Sequence, residues 1–168
     1  MGGIAWHIHI YMDKVLLRTN NLTPLEQVVF YILLRLGKTG KTKLVKLLFL
    51  IDRELSRKGE SIFKEPFKKY YYGPYNPEIE KVLDSLETKG LIEISVKELL
   101  FDEGFKFEIR PSRYISPENL EFVKKNRYDI DKIIDNLGRK TLDEILEEVY
   151  SLEEVRNTGF NEPIKYKS

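Results

Sequence analysis

The stretch Val82–Ile94, VLDSLETKGLIEI, changes its hydrophobic period in mid-course. Ile79, Val82, Leu83 and Leu86 keep helical spacing up to Lys89-Gly90, whereas Ile92, Ile94 and Val96 alternate with Glu93, Ser95 and Lys97. Apolar residues at i, i+3, i+4 and i+7 line one side of a helix, and a period of two lines one side of a strand. A helix therefore ends at Gly90 and a strand starts just beyond it. After Phe101-Asp102-Glu103-Gly104 the alternation resumes in Phe105, Phe107 and Ile109 and stops at Pro111. Two period-2 runs about a Gly-containing loop predict a β-hairpin.

Working upstream, Asn76-Pro77 is a cap-plus-proline start for that helix. Thr23-Pro24-Leu25-Glu26 is a capping box with proline at the first helical position. Leu25, Val28, Val29, Ile32, Leu33 and Leu36 then give a core helix that Gly37 closes. A second helix is expected from Thr42, as cap, to about Arg57. Leu44, Leu47, Leu48, Ile51 and Leu55 form its buried stripe, and Lys46, Arg53 and Arg57 its opposite, basic side. Tyr72-Gly73-Pro74-Tyr75 reads as a turn. Downstream, Ser116-Pro117 opens a helical stretch to Leu137 with a break near Asn126. Thr141-Leu142-Asp143-Glu144 is a second capping box before a last helix.

These elements predict a mainly helical α+β domain. Residues 22–115 form a winged-helix-like core of three helices plus a hairpin, and 116–156 form C-terminal helices of the same domain. Residues 157–168 read as a loose tail. Residues 1–21 read as an N-terminal strand or extension, because Ile4, Trp6, Ile8 and Ile10 alternate with small or polar residues.

Composition removes several classes of function. The 168 residues carry 28 Lys+Arg against 27 Asp+Glu, two histidines and no cysteine. Without cysteine there is no disulfide framework, thiolate metal site or cysteine nucleophile. A net charge of +1 does not fit a uniformly basic nucleic-acid coat. No stretch approaches the ~18 apolar residues of a membrane span, and the N-terminus lacks the pattern of a signal peptide. A cytoplasmic location is expected.

Motifs with chemistry are scarce. Gly40-Lys41-Thr42 lacks the earlier glycine of a phosphate loop, where Arg35 stands, and it follows a helix rather than a strand. His7 and His9 would share a strand face, but no other histidine or cysteine can complete a zinc site. No serine sits in a nucleophile elbow. The expectation is a non-enzymatic protein with no catalytic, metal or cofactor site.

Charge and aromatic content point to binding instead. Residues 35–69 hold eleven basic and four acidic side chains, while 117–154 hold six basic and eleven acidic ones. The basic segment fits either a partner surface or a face neutralised by the acidic C-terminal helices. Tyr70, Tyr71, Tyr72 and Tyr75, with Phe63 and Phe67, supply rigid amphipathic contact area, or in part core. The candidate partner-binding residues are Lys43, Lys46, Arg53, Arg57, Tyr70, Tyr71 and Tyr75. A DNA-binding regulator is the alternative, although Glu78, Glu80, Asp84 and Glu87 on the third helix would face phosphates unfavourably.

Two blocks carry a family resemblance. Thr42–Glu54 (TKLVKLLFLIDRE) and Tyr71–Ile79 (YYGPYNPEI), followed by Leu83–Ile92, resemble the SocA-like antitoxin domain, also called Panacea, and the uncharacterised YwgA-like proteins. The resemblance spans roughly Leu22–Pro111, and Leu142–Val155, with Val149-Tyr150, matches loosely. The first block usually reads T-K-L-Q-K-L-L-Y; Val45 stands for its glutamine and Phe49 for its tyrosine. The resemblance implies a mostly helical domain with a small β element. It also implies a cofactor-free protein that binds a toxin as partner, sequestering it or delivering it to a protease. No contact residue carries over from it.

Overall fold

The computed structural model describes residues 22–99 and 104–166. Helix α1 (Pro24–Leu36) starts where the capping box places it. Thr23 Oγ1 accepts from the Glu26 amide and the Glu26 carboxylate accepts from the Thr23 amide, both at 3.1 Å. Two amides that no helical carbonyl can reach are thereby satisfied. Every residue from Leu25 to Leu33 is buried, so α1 is enclosed on all sides.

Strand β1 (Thr39–Gly40) follows directly and pairs antiparallel with β5 (Phe105–Pro111), with Thr39 opposite Ile109. Pairing holds Gly40 extended, so it caps helix α2 (Lys41–Ser56) and Thr42 lies in the first turn rather than at the cap. Helix α3 (Glu78–Thr88) leads into β4 (Ile92–Glu98), which pairs with β5 from Ile92 opposite Pro111 to Glu98 opposite Phe105. The sheet order is β1-β5-β4. Sequence periodicity showed the hairpin but not β1, because two residues are too few to display a period.

A second hairpin occupies the aromatic segment. Strands β2 (Lys68–Tyr70) and β3 (Gly73–Tyr75) pair with Tyr70 opposite Gly73, so Tyr71 and Tyr72 form the turn. The sequence reading put the turn two residues later, because Gly and Pro ordinarily mark turns and demote strands. Asn76 then joins β3 to α3: its Oδ1 accepts from the Glu78 amide (3.0 Å) and its Nδ2 donates to the Glu65 carbonyl (2.9 Å).

Downstream lie a 3-10 turn (Pro117–Asn119), α4 (Glu121–Lys125) and α5 (Arg127–Leu137), with the expected break at Asn126. The second capping box opens α6 (Leu142–Ser151), and α7 (Glu153–Arg156) follows. The fold is mainly helical α+β with one core, in which α2 is packed by α1, α5, α6, β1, β3 and β5. Among the described residues no helix is long and apolar enough to cross a membrane.

The segment from Asn157, expected to be loose, is packed. The Ile164 amide donates to the Phe67 carbonyl (2.8 Å) and the Ile164 side chain is buried. The Tyr166 ring meets Phe49 edge-on at 5.3 Å, and its hydroxyl donates to Asp52 Oδ2 (2.6 Å). Burial and the Asp52 charge push the Tyr166 phenol well above its usual range.

Asp52 itself is fully buried and accepts from Ser61 Oγ (2.8 Å) and the amides of Ile62 (2.8 Å) and Phe63 (3.3 Å). It therefore ties α2, the loop after it and the C-terminal segment together. Asp52→Ala strands these donors in a buried site and is expected to cost about 3 kcal/mol or more in urea unfolding. Tyr166→Phe leaves the Ile62 and Phe63 amides on Asp52 but frees the Phe67 amide, which donates to the Tyr166 hydroxyl (3.3 Å), and is expected to cost about 1–2 kcal/mol.

Candidate functional site

The basic and acidic halves of the sequence face each other. Arg35 pairs with Asp131 (2.7 Å) and Asp135, Arg53 with Glu154, and Lys58 with Asp129 (2.6 Å). Arg57 reaches Glu54 at 3.4 Å on its own helix. Because α5 and α6 pack along α2, the carboxylates of 117–154 land beside the cations of 35–58. Arg53 and Arg57 are thus engaged within the chain. The structure favours mutual neutralisation over an open basic patch for this half of α2.

Lys46 departs furthest from the sequence reading. The helical stripe places it on the basic side of α2, but only 3% of it is exposed. Helix α2 is covered by β3 on that side, so the stem is buried and Nζ donates to the Pro74 carbonyl at 2.9 Å. Its ammonium pairs with no carboxylate among the described residues. Desolvation alone pushes its pKa down from 10.5 to about 8.

Three parts of the sequence meet at this lysine. Gly73 has a φ of +90°, and a Cβ there would stand 3.4 Å from the Tyr150 hydroxyl and 3.5 Å from Lys46 Cε. The Lys46 block, the Tyr-Gly-Pro block and Tyr150 of α6 therefore form one junction. Lys69 on β2 adds a brace, donating to the carbonyls of Val155 (3.0 Å) and Thr158 (3.1 Å), with its ammonium 6.0 Å from the Tyr150 ring centre.

Two concavities flank the N-terminus of α2. One, of about 430 Å³, is lined by Lys41, Thr42, Val45, Lys46, Gly73 and the rings of Tyr70, Tyr72 and Tyr75. The other, of about 480 Å³, lies across Lys41 and Thr42 and reaches Lys43, Phe105, Phe107, Lys140 and Leu142. Lys43 is half-buried, and burial, then the nearby Arg139, pushes its pKa down. Lys41 pairs with Glu80 and sits 5.2 Å from the Phe107 ring centre. Tyr75 donates to Glu80 (2.7 Å), and burial, then Glu80, pushes its phenol up.

The predicted tyrosines divide. Tyr71 is exposed with its ring against Phe160 at 4.5 Å. Tyr70 is half-buried between Tyr75 (5.7 Å) and Phe160 (6.4 Å). Sequence reasoning counted Tyr72 in the aromatic segment without choosing it as a contact residue, and passed over Phe160 and the far half of the β4–β5 hairpin. Ile94 and Ile109 are opposite one another near the body; Val96 and Phe107 continue the same face outward, and Phe105 follows. Phe105 is 66% exposed, Val96 54% and Phe107 41%. Their alternation marked a face correctly, but it could not show that the hairpin outruns the core. Together they form one contiguous exposed apolar strip rather than scattered surface residues.

Among the described residues no group of His, Asp and Glu is placed to hold a metal ion. His7 and His9 lie outside the described residues. The arrangement offers apolar and aromatic contact area beside lysines, which suits binding. A family model described as antitoxin SocA-like, Panacea domain, matches residues 44–154, an interval holding Lys46, Gly73, Tyr150 and the outer hairpin. No curated protein and no solved structure matches the chain.

The unfolded chain keeps the Lys46 proton up to about 10.5, whereas the folded chain releases it near 8. Between those values the unfolded state binds more protons, so stability rises with pH. Above pH 10 the raised phenols of Tyr31, Tyr75 and Tyr166 act in the opposite direction. Relative to Lys46→Met, the wild-type chain is expected to gain about 2 kcal/mol from pH 8 to 10 in chemical denaturation. Gly73→Ala, forced to a left-handed φ under Tyr150, is expected to cost about 1–2 kcal/mol.

Proposed function

The chain belongs to the SocA-like antitoxin (Panacea) family, and from that premise we propose that it is a cytoplasmic, non-enzymatic interaction module that binds and neutralises a partner protein or presents it for proteolysis. One observation carries the reading: the outer hairpin face of Val96, Phe105 and Phe107 stands exposed beside the lysine- and tyrosine-lined N-terminus of α2. Aromatic residues in a concave, partly desolvated setting supply the anchor contacts of stable protein complexes. The lysines around them, Lys41, Lys43, Lys106 and Lys140, favour a partner whose facing surface is acidic.

A winged-helix core is part of this reading. The order α1-β1-α2-β2-β3-α3-β4-β5, in which β1 completes a three-stranded sheet with β5 and β4 and the β2–β3 hairpin is inserted before α3, supports it. That order also favours the second reading, a DNA-binding regulator. Against it, the outward positions of α3 include Glu80, Asp84 and Glu87, and Arg53, Arg57 and Lys58 are already paired with carboxylates. Phosphate binding would have to displace those pairs and overcome the carboxylates of α3.

The test is purification of the tagged chain with the protein encoded beside it, followed by measured affinity of variants. Phe105→Ser with Phe107→Ser is expected to weaken the complex at least tenfold while leaving the melting temperature unchanged. Arg53→Gln with Arg57→Gln is expected to leave affinity within about threefold. Loss of affinity in the arginine pair alone would move the partner surface to the C-terminal half of α2, and duplex binding that falls log-linearly with salt would favour the DNA reading.

A further inference from the structure

Lys46 is a buried cation that pairs with no anion among the described residues. Its single described hydrogen bond, to the Pro74 carbonyl, uses one of three ammonium donors. A charge taken from water is stabilised by a paired opposite charge, and this one has none among the described residues. The side chain also lines the 430 Å³ concavity, whose rim is Tyr70, Tyr72 and Tyr75. Tyr72 borders that hollow and is 77% exposed, so its ring offers free contact area at the rim. Lys41 borders it from the first turn of α2, where Gly40 leaves the helix end without a side-chain cap.

Resting on the interaction-module reading above, we propose that this concavity receives an acidic side chain of the partner protein, flanked by apolar residues. The carboxylate pairs with Lys46 and the first-turn amides of α2, while its neighbours lie against Tyr70 and Tyr72. A peptide carboxylate fits better than a nucleic-acid phosphate. The hollow is aromatic-walled and offers no arginine, and Glu80 stands beside Lys41 and Tyr75 at its edge. A polyanionic backbone would meet that carboxylate, whereas a single acidic side chain entering over the tyrosines need not.

The probe is the tripeptide acetyl-Leu-Asp-Leu-amide, with its Asn counterpart and inorganic phosphate as comparisons. Each is titrated into the full chain carrying 13C-labelled lysine. The Asp peptide is expected to shift the Lys46 ε-carbon signal with millimolar affinity and the Asn peptide to bind at least fivefold more weakly. Lys46→Met is expected to abolish the difference between the two peptides. Tyr72→Ala, at an exposed turn position, is expected to weaken the Asp peptide at least threefold while leaving the melting temperature within a few degrees. Equal binding of both peptides, no Lys46 response, or a stronger response to phosphate would overturn the inference. The protein complex tested above separates the two claims. A complex that Lys46→Met leaves unweakened would remove the pocket and keep the module, and failure to form any complex would remove the module.

Discussion

Helix α2 is enclosed by helices on one side and by strands on the other, and every polar atom it carries inward must find its partner inside the protein. Asp52 meets that requirement fully, collecting two amides, a serine and the Tyr166 hydroxyl. Lys46 meets it only in part, through the Pro74 carbonyl. One buried charge is thereby the clasp for the loop and the C-terminal segment. The other bonds to the β2–β3 hairpin and has no counter-charge among the described residues. The junction at Lys46 depends on Gly73 for its left-handed φ of +90°, which a side chain would strain, and Tyr150 closes it from α6.

The same enclosure decides how the surface is charged. A sequence with a basic first half and an acidic second half could present a strong dipole to solvent. Here α5 and α6 lie along α2, so Arg35, Arg53 and Lys58 face carboxylates instead. Exposed or half-exposed pairs of this kind contribute little stability each. Their larger effect is to silence the C-terminal half of α2 as an electrostatic target. What remains is the N-terminal end of α2, where Lys43 lies near Arg139 rather than a carboxylate. The exposed hairpin face adjoins that end, so the apolar and cationic features coincide.

The two capping boxes, the helix periods and the β4–β5 alternation were legible in the sequence, because each is a local rule that burial does not alter. So was the break at Asn126. Strand β1 and the β2–β3 hairpin were hidden, since two or three residues show no period and Gly73-Pro74 imitates a turn. Lys46 was misread because a lysine opposite a leucine stripe is ordinarily solvated; only the later β3 segment covers it. Tyr166 gave no local signal, as its place depends on Asp52, more than a hundred residues earlier. The family resemblance was carried by residues that build the junction, Lys46 and Gly73-Pro74, which is why it identified the domain without naming a contact residue.

The central claim is that the N-terminal end of α2 and the outer β4–β5 hairpin together form the partner surface. Hydrogen–deuterium exchange of the chain alone and in complex with its co-purified protein partner tests this most directly. The account predicts new protection concentrated in residues 41–46, 70–75, 96–99 and 104–107, with α3 and the 127–135 face unchanged. Protection confined to α3 or to the paired Arg53–Glu154 side, with the hairpin still exchanging freely, would contradict it.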